Sequence, residues 1–169
     1  MDIDFMDVEY KIDIEEYKYI GKGSGRVVYD LGNGYVVKVA INNKGFAQNK
    51  IEYNLSSYDE SGIFAKIVSS SNNFKYIIME KAEKIKNLIP VRNYFNVKNN
   101  KQLFQTKFIK EISSKYNLST ADLKRPSSWG LINGVPKIID YGLTTKVYMN
   151  YYLKENLIVP IILLFLMRK

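Results

Sequence analysis

A cluster of glycines interrupts an apolar stretch near the start of the chain. Gly21, Gly23 and Gly25 alternate with Lys22 and Ser24 between two short apolar segments. Because glycine has no side chain, the backbone of such a turn can approach phosphate oxygens and donate N–H groups to them. An ordinary glycine-rich hairpin would show the same pattern, so the residues that follow must decide between the two interpretations.

A single lysine lies in the middle of the next apolar segment. Lys38 interrupts residues 35–41, which are otherwise Tyr, Val, Ala and Ile. A buried lysine is costly unless an acid pairs with it. Glu52 lies two turns into the helix predicted for residues 46–58, and we expect it to form that ion pair.

Two further positions suit a nucleotide site. Asp140 follows an apolar pair at the end of a predicted hairpin, where a carboxylate could bind Mg²⁺. Met79, Glu80 and Ala82 close an apolar strand. A chain that crosses there to a second lobe could offer backbone groups to an adenine ring.

Hydrophobic spacing and turn signals predict the elements that position these residues. Residues 3–20 alternate loosely and are expected to be extended chain that leads into a first strand. The first 80 residues then follow the order β-β-β-α-β-β. The later elements of that order are expected at 26–30, 35–41, 46–58, 63–68 and 74–79. Beyond them we expect a helix over 102–116 and a hairpin over 131–139 that turns at Asn133-Gly134.

The composition excludes several chemistries. The 169 residues include neither cysteine nor histidine, which rules out disulfides, histidine-ligated zinc and a Ser-His-Asp triad. Any metal must be a hard cation held by oxygen ligands, such as Mg²⁺. The lack of cysteine suits a reducing compartment and no signal peptide is visible, so we expect a cytoplasmic location.

Positive charge dominates the chain after its first residues. The net charge is +8, although residues 1–16 hold seven acids and one lysine. The basic body suits phosphates, nucleic acid or an acidic partner, but a Lys- and Asn-rich solvated surface is the simpler explanation. Nucleic acid is the weaker expectation because the basic residues are scattered rather than clustered.

The sequence ends in the apolar run 157–167, followed by Arg168 and Lys169. This run is shorter than the ~20 residues that a membrane-spanning helix needs, so no membrane span is expected. A buried terminal segment or a homodimer contact is the favoured interpretation. A tail that touches a membrane is the alternative.

Taken in order, the motifs resemble those of the protein kinase-like superfamily. The stretch Ile20–Tyr29 resembles the kinase glycine-rich loop. Lys38 resembles the strand-3 lysine that grips the nucleotide phosphates, and Glu52 resembles the glutamate of the next helix that pairs with it. The resemblance covers about residues 18–145.

Later motifs extend the resemblance. Met79 and Glu80 resemble the gatekeeper residue and the start of the hinge. Asp140-Tyr141-Gly142 resembles the Asp-Phe-Gly motif, whose aspartate binds Mg²⁺. The resemblance therefore implies ATP and Mg²⁺ as cofactors. The nucleotide-binding residues that it implies are Gly21, Gly23, Ser24, Gly25, Lys38, Met79, Glu80 and Ala82.

The first departure from the family pattern lies in the glycine-rich loop. Gly25 comes one place early, and Arg26 occupies the position of the family's third glycine. Atypical and small-molecule kinases tolerate such changes, so the resemblance in fold is little affected.

The second departure lies in the catalytic loop, which lacks His-Arg-Asp. Asp122 precedes Asp140 by 18 residues and takes the place of the catalytic base. Ser127 or Ser128 takes the place of the asparagine that binds metal. A turn or N-cap role for Asp122 is the alternative that the sequence leaves open.

The resemblance implies an α+β, protein kinase-like fold in two lobes. Residues 1–82 would form an N-lobe with a five-stranded antiparallel sheet and one helix, after an extended acidic N-terminus. Residues 83–169 would form a truncated, mostly helical C-lobe with a β-hairpin. Only 26 residues follow Leu143, so the part of a kinase that docks peptides is expected to be missing.

Two functional hypotheses follow. The first is a small phosphotransferase that uses ATP and Mg²⁺ on a protein or small-molecule acceptor, with Lys38, Glu52, Asp122 and Asp140 as its catalytic set. The second is a pseudokinase-type module that binds or inhibits a host or partner protein. A compact domain without histidine suits a phage or mobile element in that second role.

Overall fold

Five antiparallel strands form the larger sheet. They are β1 (Lys18–Lys22), β2 (Arg26–Asp30), β3 (Tyr35–Ala40), β4 (Ile67–Ser70) and β5 (Tyr76–Glu80). Their order in the sheet is β1-β2-β3-β5-β4, in a computed structural model that describes residues 3–153. One long helix, α2 (Asn43–Tyr58), connects β3 to β4. This is the N-lobe arrangement that the kinase resemblance implies, and the α+β, protein kinase-like fold class is confirmed.

Helix α2 packs unusually close to the glycine-rich turn. Asn42 caps the helix by accepting a hydrogen bond from the Gly45 N–H, and its side-chain amide donates to the carbonyl oxygen of Ser24. A Cβ on Gly45 would overlap the carbonyl oxygen of Gly25. Only glycine therefore lets the helix start against the turn. The buried residues of α2 include Gln48, Asn49 and Glu52, so its inner face is polar and serves a site rather than an apolar core.

The second half of the described chain is mostly helical. Its helices are α3 (Ile89–Tyr94), α4 (Asn100–Gln105), α5 (Lys107–Lys115), α6 (Thr120–Leu123) and α7 (Thr145–Val147), with a 3-10 turn at Pro126–Ser128 and a π-helical turn at Tyr148–Leu153. A small sheet has the order β6 (Glu83–Lys84), β7 (Trp129–Ile132) and β8 (Val135–Ile138). One apolar core joins both halves, from Ile77 and Met79 to Leu103 and Trp129. The lobe boundary after residue 82 stays a prediction.

The expectation of an extended N-terminus is wrong, because residues Phe5–Asp13 form helix α1. Asp4 caps the helix by accepting from the Met6 N–H. Val8 is buried and packs with Tyr76 on the outer face of the sheet, and the Phe5 ring stacks on Tyr76 at 5.8 Å. The helical spacing of these apolar residues outweighs the loose alternation that suggested a strand.

Two other boundaries differ from expectation. The strand expected at 63–68 is displaced, because Ile63 and Ala65 exchange backbone hydrogen bonds with Ile138 at 2.8 and 3.0 Å instead of joining the large sheet. The helix expected over 102–116 breaks at Thr106, whose hydroxyl donates to Leu103 and accepts from the Ile109 N–H. The predicted Asn133-Gly134 hairpin is confirmed, with φ of 51° and 76°.

The membrane expectations concern two parts of the chain. Between residues 3 and 153 the structure contains no helix with the length and apolar character needed to cross a bilayer. The apolar run 157–167, expected to be core, a dimer contact or membrane-touching, lies outside the described residues.

Candidate functional site

A cleft of about 750 Å³ lies between the large sheet and the second half of the chain. The glycine-rich turn, β3 and the segment after β5 form one wall, and the segments around α6 and β8 form the other. Most predicted site residues line it. They are Gly21, Gly23, Ser24, Gly25, Lys38, Met79, Glu80, Ala82, Asp122, Ser127 and Asp140. Glu52 and Ser128 are instead buried, at 0% and 2% exposure.

Glu52 is the centre of a buried charge cluster at the back of the cleft. Its Oε2 accepts from Lys38 Nζ at 2.7 Å and lies 2.9 Å from Arg26 Nη1. Its Oε1 accepts from the backbone N–H groups of Tyr141 and Gly142 at 3.1 and 3.0 Å. A fully buried carboxylate is tolerable only when charges and hydrogen bonds satisfy it in this way. The predicted Lys38–Glu52 ion pair is confirmed.

Lys38 connects this cluster to the segment before Asp140. Its Nζ donates to the Ile139 carbonyl oxygen at 2.6 Å as well as to Glu52, and its side chain is only 7% exposed. Burial lowers the pKa of Lys38, and the attraction of Glu52 offsets only part of that effect. The ammonium group thus lies at the cleft with two protein acceptors and a third N–H for a ligand.

Arg26 is the functional candidate that the sequence did not predict. Its Nη2 lies 2.6 Å from Asp140 Oδ1, and its Nη1 donates to Asn49 Oδ1 at 3.4 Å besides pairing with Glu52. Burial alone would lower the pKa of Arg26, but Glu52 and Asp140 outweigh it and raise the pKa. The only signal in the sequence was a cation at the family's glycine position.

Asp140 faces the cleft, with 53% of its side chain exposed. Loss of water would raise the pKa of its carboxyl group, but Arg26 and then Lys38 outweigh that effect and lower the pKa. Asp140 is therefore an ionised carboxylate at neutral pH, and one of its oxygens already pairs with a guanidinium group.

The described residues around Asp140 offer few oxygen ligands for Mg²⁺. Mg²⁺ needs near-octahedral oxygen ligands, which in nucleotide sites include one or two carboxylates. Asp140 Oδ1 is engaged by Arg26, and Ser128 is buried, with its carbonyl oxygen accepting from Ile139. Ser127 alone of the two serines lines the cleft. Residues 3–153 hold no group of three acidic side chains that could bind a metal. The metal role of these residues stays a prediction.

The residues after Asp140 are fixed by close packing. The Tyr141 hydroxyl donates to the Ala65 carbonyl oxygen at 2.8 Å, and its ring lies 4.6 Å from Phe64. Burial raises the pKa of Tyr141. A Cβ on Gly142 would come within 2.8 Å of the Gln48 carbonyl oxygen, so α2 lies directly against this glycine. The motif therefore holds Asp140 in one position.

Asp122 lies on the opposite wall of the cleft. Ser119 caps its helix by accepting from the Asp122 N–H at 3.3 Å, so Ser119 rather than Asp122 is the N-cap, and the catalytic role of Asp122 stays a prediction. The contacts of its carboxylate differ between the two oxygens. Asp122 Oδ1 lies 3.4 Å from Arg125 Nη1, whereas its buried Oδ2 has no partner among the described residues. Because Asp122 lines the cleft with 16% of its side chain exposed, a ligand can reach the exposed part of this carboxylate but not the buried Oδ2.

Part of the cleft lining is apolar. Met79 is almost fully buried behind it, and Val28, Val36 and Leu143 line it. The backbone N–H of Glu80 is used by the Lys66 carbonyl oxygen at 2.9 Å. A flat aromatic ring suits these apolar side chains, and charged groups suit the neighbourhood of Lys38.

Comparisons with known proteins give only distant structural likenesses. No family model matches the chain. No curated protein matches it. A solved ternary complex of APH(2")-IIa with streptomycin and ATP matches 84% of this chain and 71% of its own, at 16% identity and a TM-score of 0.44. A gentamicin complex of APH(2")-IIa has the same coverage and identity, at a TM-score of 0.47.

These likenesses are too low to carry an argument about this chain's chemistry. The protein kinase-like class rests instead on the strand order and on the contacts described above. In those contacts Lys38 of β3 pairs with Glu52 of α2, and Asp140 lines the same cleft.

Replacing Glu52 with glutamine tests the charge cluster. In Glu52→Gln two buried cations lose their shared carboxylate, and we expect the free energy of unfolding to fall by about 3–5 kcal/mol. Glu60→Gln, at an exposed position just after α2, is the control and should change it by less than about 0.5 kcal/mol. Urea denaturation measures both values. Equal effects of the two substitutions would contradict a buried, charge-bearing Glu52.

Proposed function

We propose that the cleft binds ATP and that the protein is a kinase-like phosphotransferase. The observation that carries the proposal is the buried Lys38–Glu52 pair, which is tied to the backbone at 141–142 and faces the cleft. A lysine held this rigidly is pre-organised to bind phosphate oxygens. A purely structural ion pair would not require Asp140, which directly precedes that backbone, to line the same cleft.

The lining of the cleft supports an anionic, partly aromatic ligand. Seven Lys and Arg side chains line it against five Asp and Glu side chains, so its charge favours a polyphosphate. Its apolar lining, which includes Val28 and Met79, offers a surface for an adenine ring. The glycine-rich turn also lines the cleft, where its backbone can approach the phosphates.

Asp122 supports a transfer step. In that step the oxygen of an acceptor hydroxyl forms a bond to the γ-phosphorus, the bond from this phosphorus to the bridging oxygen breaks, and ADP leaves. The hydroxyl proton goes to the Asp122 carboxylate, which lines the cleft. A protein or a small molecule with a free hydroxyl group would be the acceptor.

Removal of the Lys38 charge tests nucleotide binding. We expect Lys38→Met to weaken ATP binding about 10- to 100-fold, because a charge-assisted hydrogen bond to phosphate is lost. Glu52 keeps Arg26 as a partner in this variant, so the fold should survive. Lys50→Met changes an exposed lysine of α2 and serves as the control. Isothermal titration with ATP measures both, and unchanged affinity in Lys38→Met would refute the proposed site.

A second candidate function is a pseudokinase-type module that binds a host or partner protein. The contact that favours it is the 2.6 Å ion pair between Arg26 and Asp140. This pair neutralises the carboxylate that a kinase uses for metal-assisted transfer. In such a protein, bound nucleotide would stabilise the folded conformation, and the surface of the fold would bind the partner protein.

Turnover of γ-labelled ATP distinguishes the two functions. For a phosphotransferase, we expect Asp122→Asn to slow label transfer to water and to the protein's own hydroxyl groups about 100-fold or more, with ATP affinity unchanged. Asp13→Asn, at an exposed position in α1, is the matched control. Equal label transfer in the wild type and in Asp122→Asn, together with tight ATP binding, would favour the pseudokinase-type module.

A further inference from the structure

Arg26 is a buried arginine where the kinase resemblance expects glycine. It is the first residue of β2, lies opposite Ala40 of β3, and turns its side chain inward, leaving 9% exposed. Its guanidinium group bridges Glu52 and Asp140 at 2.9 and 2.6 Å. Arg26 also lines the cleft, so a bound ligand can reach it.

The cluster is electrically balanced without any metal. Lys38 and Arg26 supply two positive charges, and Glu52 and Asp140 supply two negative ones. A guanidinium group keeps its proton at all ordinary pH values, so its charge is as permanent as that of a metal ion. Arg26 thus already supplies one positive charge beside Asp140.

A divalent cation at Asp140 Oδ1 would have to compete with this arginine, so Asp140 Oδ2 is the carboxylate oxygen left for a metal. Ser127 is the only other predicted metal ligand that lines the cleft. A cation there would have one carboxylate oxygen and one hydroxyl group from the predicted ligands, and no second carboxylate. The geometry therefore favours arginine over metal at this position.

We infer that Arg26 takes the place of a divalent cation at Asp140 and that the cleft binds ATP without Mg²⁺. The inference rests on the proposed nucleotide site. It assigns the binding of the phosphate groups to Arg26 and Lys38. The planar fork of arginine presents several N–H groups to phosphate oxygens, which makes it a good phosphate ligand. Its contact with Glu52 holds that fork in place before the nucleotide arrives.

The test is ATP affinity measured by isothermal titration, once in EDTA and once in excess Mg²⁺. We expect the wild type to bind ATP tightly in EDTA and no more tightly in excess Mg²⁺, because the metal complexes ATP in solution and adds no ligand contact in the cleft. We expect Arg26→Ala to lose about tenfold or more in EDTA and to regain part of that affinity in Mg²⁺, since Asp140 is then free to bind a metal. Arg125→Ala, another arginine that lines the cleft, should show no Mg²⁺ rescue.

Asp140→Asn gives a second test that does not depend on the stability of Arg26→Ala. It should change ATP affinity equally in EDTA and in Mg²⁺, and a loss confined to Mg²⁺ would overturn the inference. Wild-type binding that requires Mg²⁺, or Arg26→Ala binding in EDTA at wild-type affinity, would also overturn it while leaving the nucleotide site intact. Absence of ATP binding in both conditions would overturn the proposed site and the inference together.

Discussion

A buried carboxylate needs charged or hydrogen-bonding partners for both of its oxygens, and the fold has to supply such partners to Glu52. Its two oxygens bring together a lysine from β3, an arginine from β2 and the backbone that follows Asp140. Those segments come from sequence positions far apart. Loss of any one of them would leave a buried charge short of partners, at a cost of several kcal/mol. The cluster thus joins the sheet, α2 and the late hairpin into one unit.

Close backbone packing makes this arrangement possible. Helix α2 has to approach both the glycine-rich turn and the segment after Asp140, and it does so only where side chains are absent. A Cβ would collide at Gly45 on one side and at Gly142 on the other. The glycines next to the cleft therefore have a structural purpose beyond any contact with phosphates. Because they lack side chains, α2 can approach closely enough to bring Glu52 into its buried position.

The sequence predicts the Lys38–Glu52 pair because the two residues lie in consecutive elements and a buried lysine is costly without an acid. A lysine inside an apolar strand needs an acid, and the next helix offers Glu52 two turns from its start. The same holds for the Asn133-Gly134 turn, whose residues tolerate positive φ. Arg26 was beyond sequence reasoning, since an arginine at a strand end is normally solvated. Only the fold shows that two carboxylates lie within its reach.

Other errors have equally physical causes. The first residues alternate in polarity over a short stretch, which hid the spacing of Phe5 and Val8 that packs α1 onto Tyr76. The pairing of Ile63 and Ala65 with Ile138 joins segments about 75 residues apart in sequence. No local pattern reports such a contact. Local propensity was therefore reliable for turns and for the charged pair, and unreliable where tertiary packing decides.

The most direct test of this account is a crystal structure of the protein with a non-hydrolysable ATP analogue, grown in EDTA. The account predicts the triphosphate within hydrogen-bonding distance of Lys38 Nζ and of the Arg26 guanidinium group. Glu52 should still accept hydrogen bonds from both side chains. Nucleotide density outside the cleft, or a Lys38–Glu52 pair broken to admit the phosphates, would contradict the central claim.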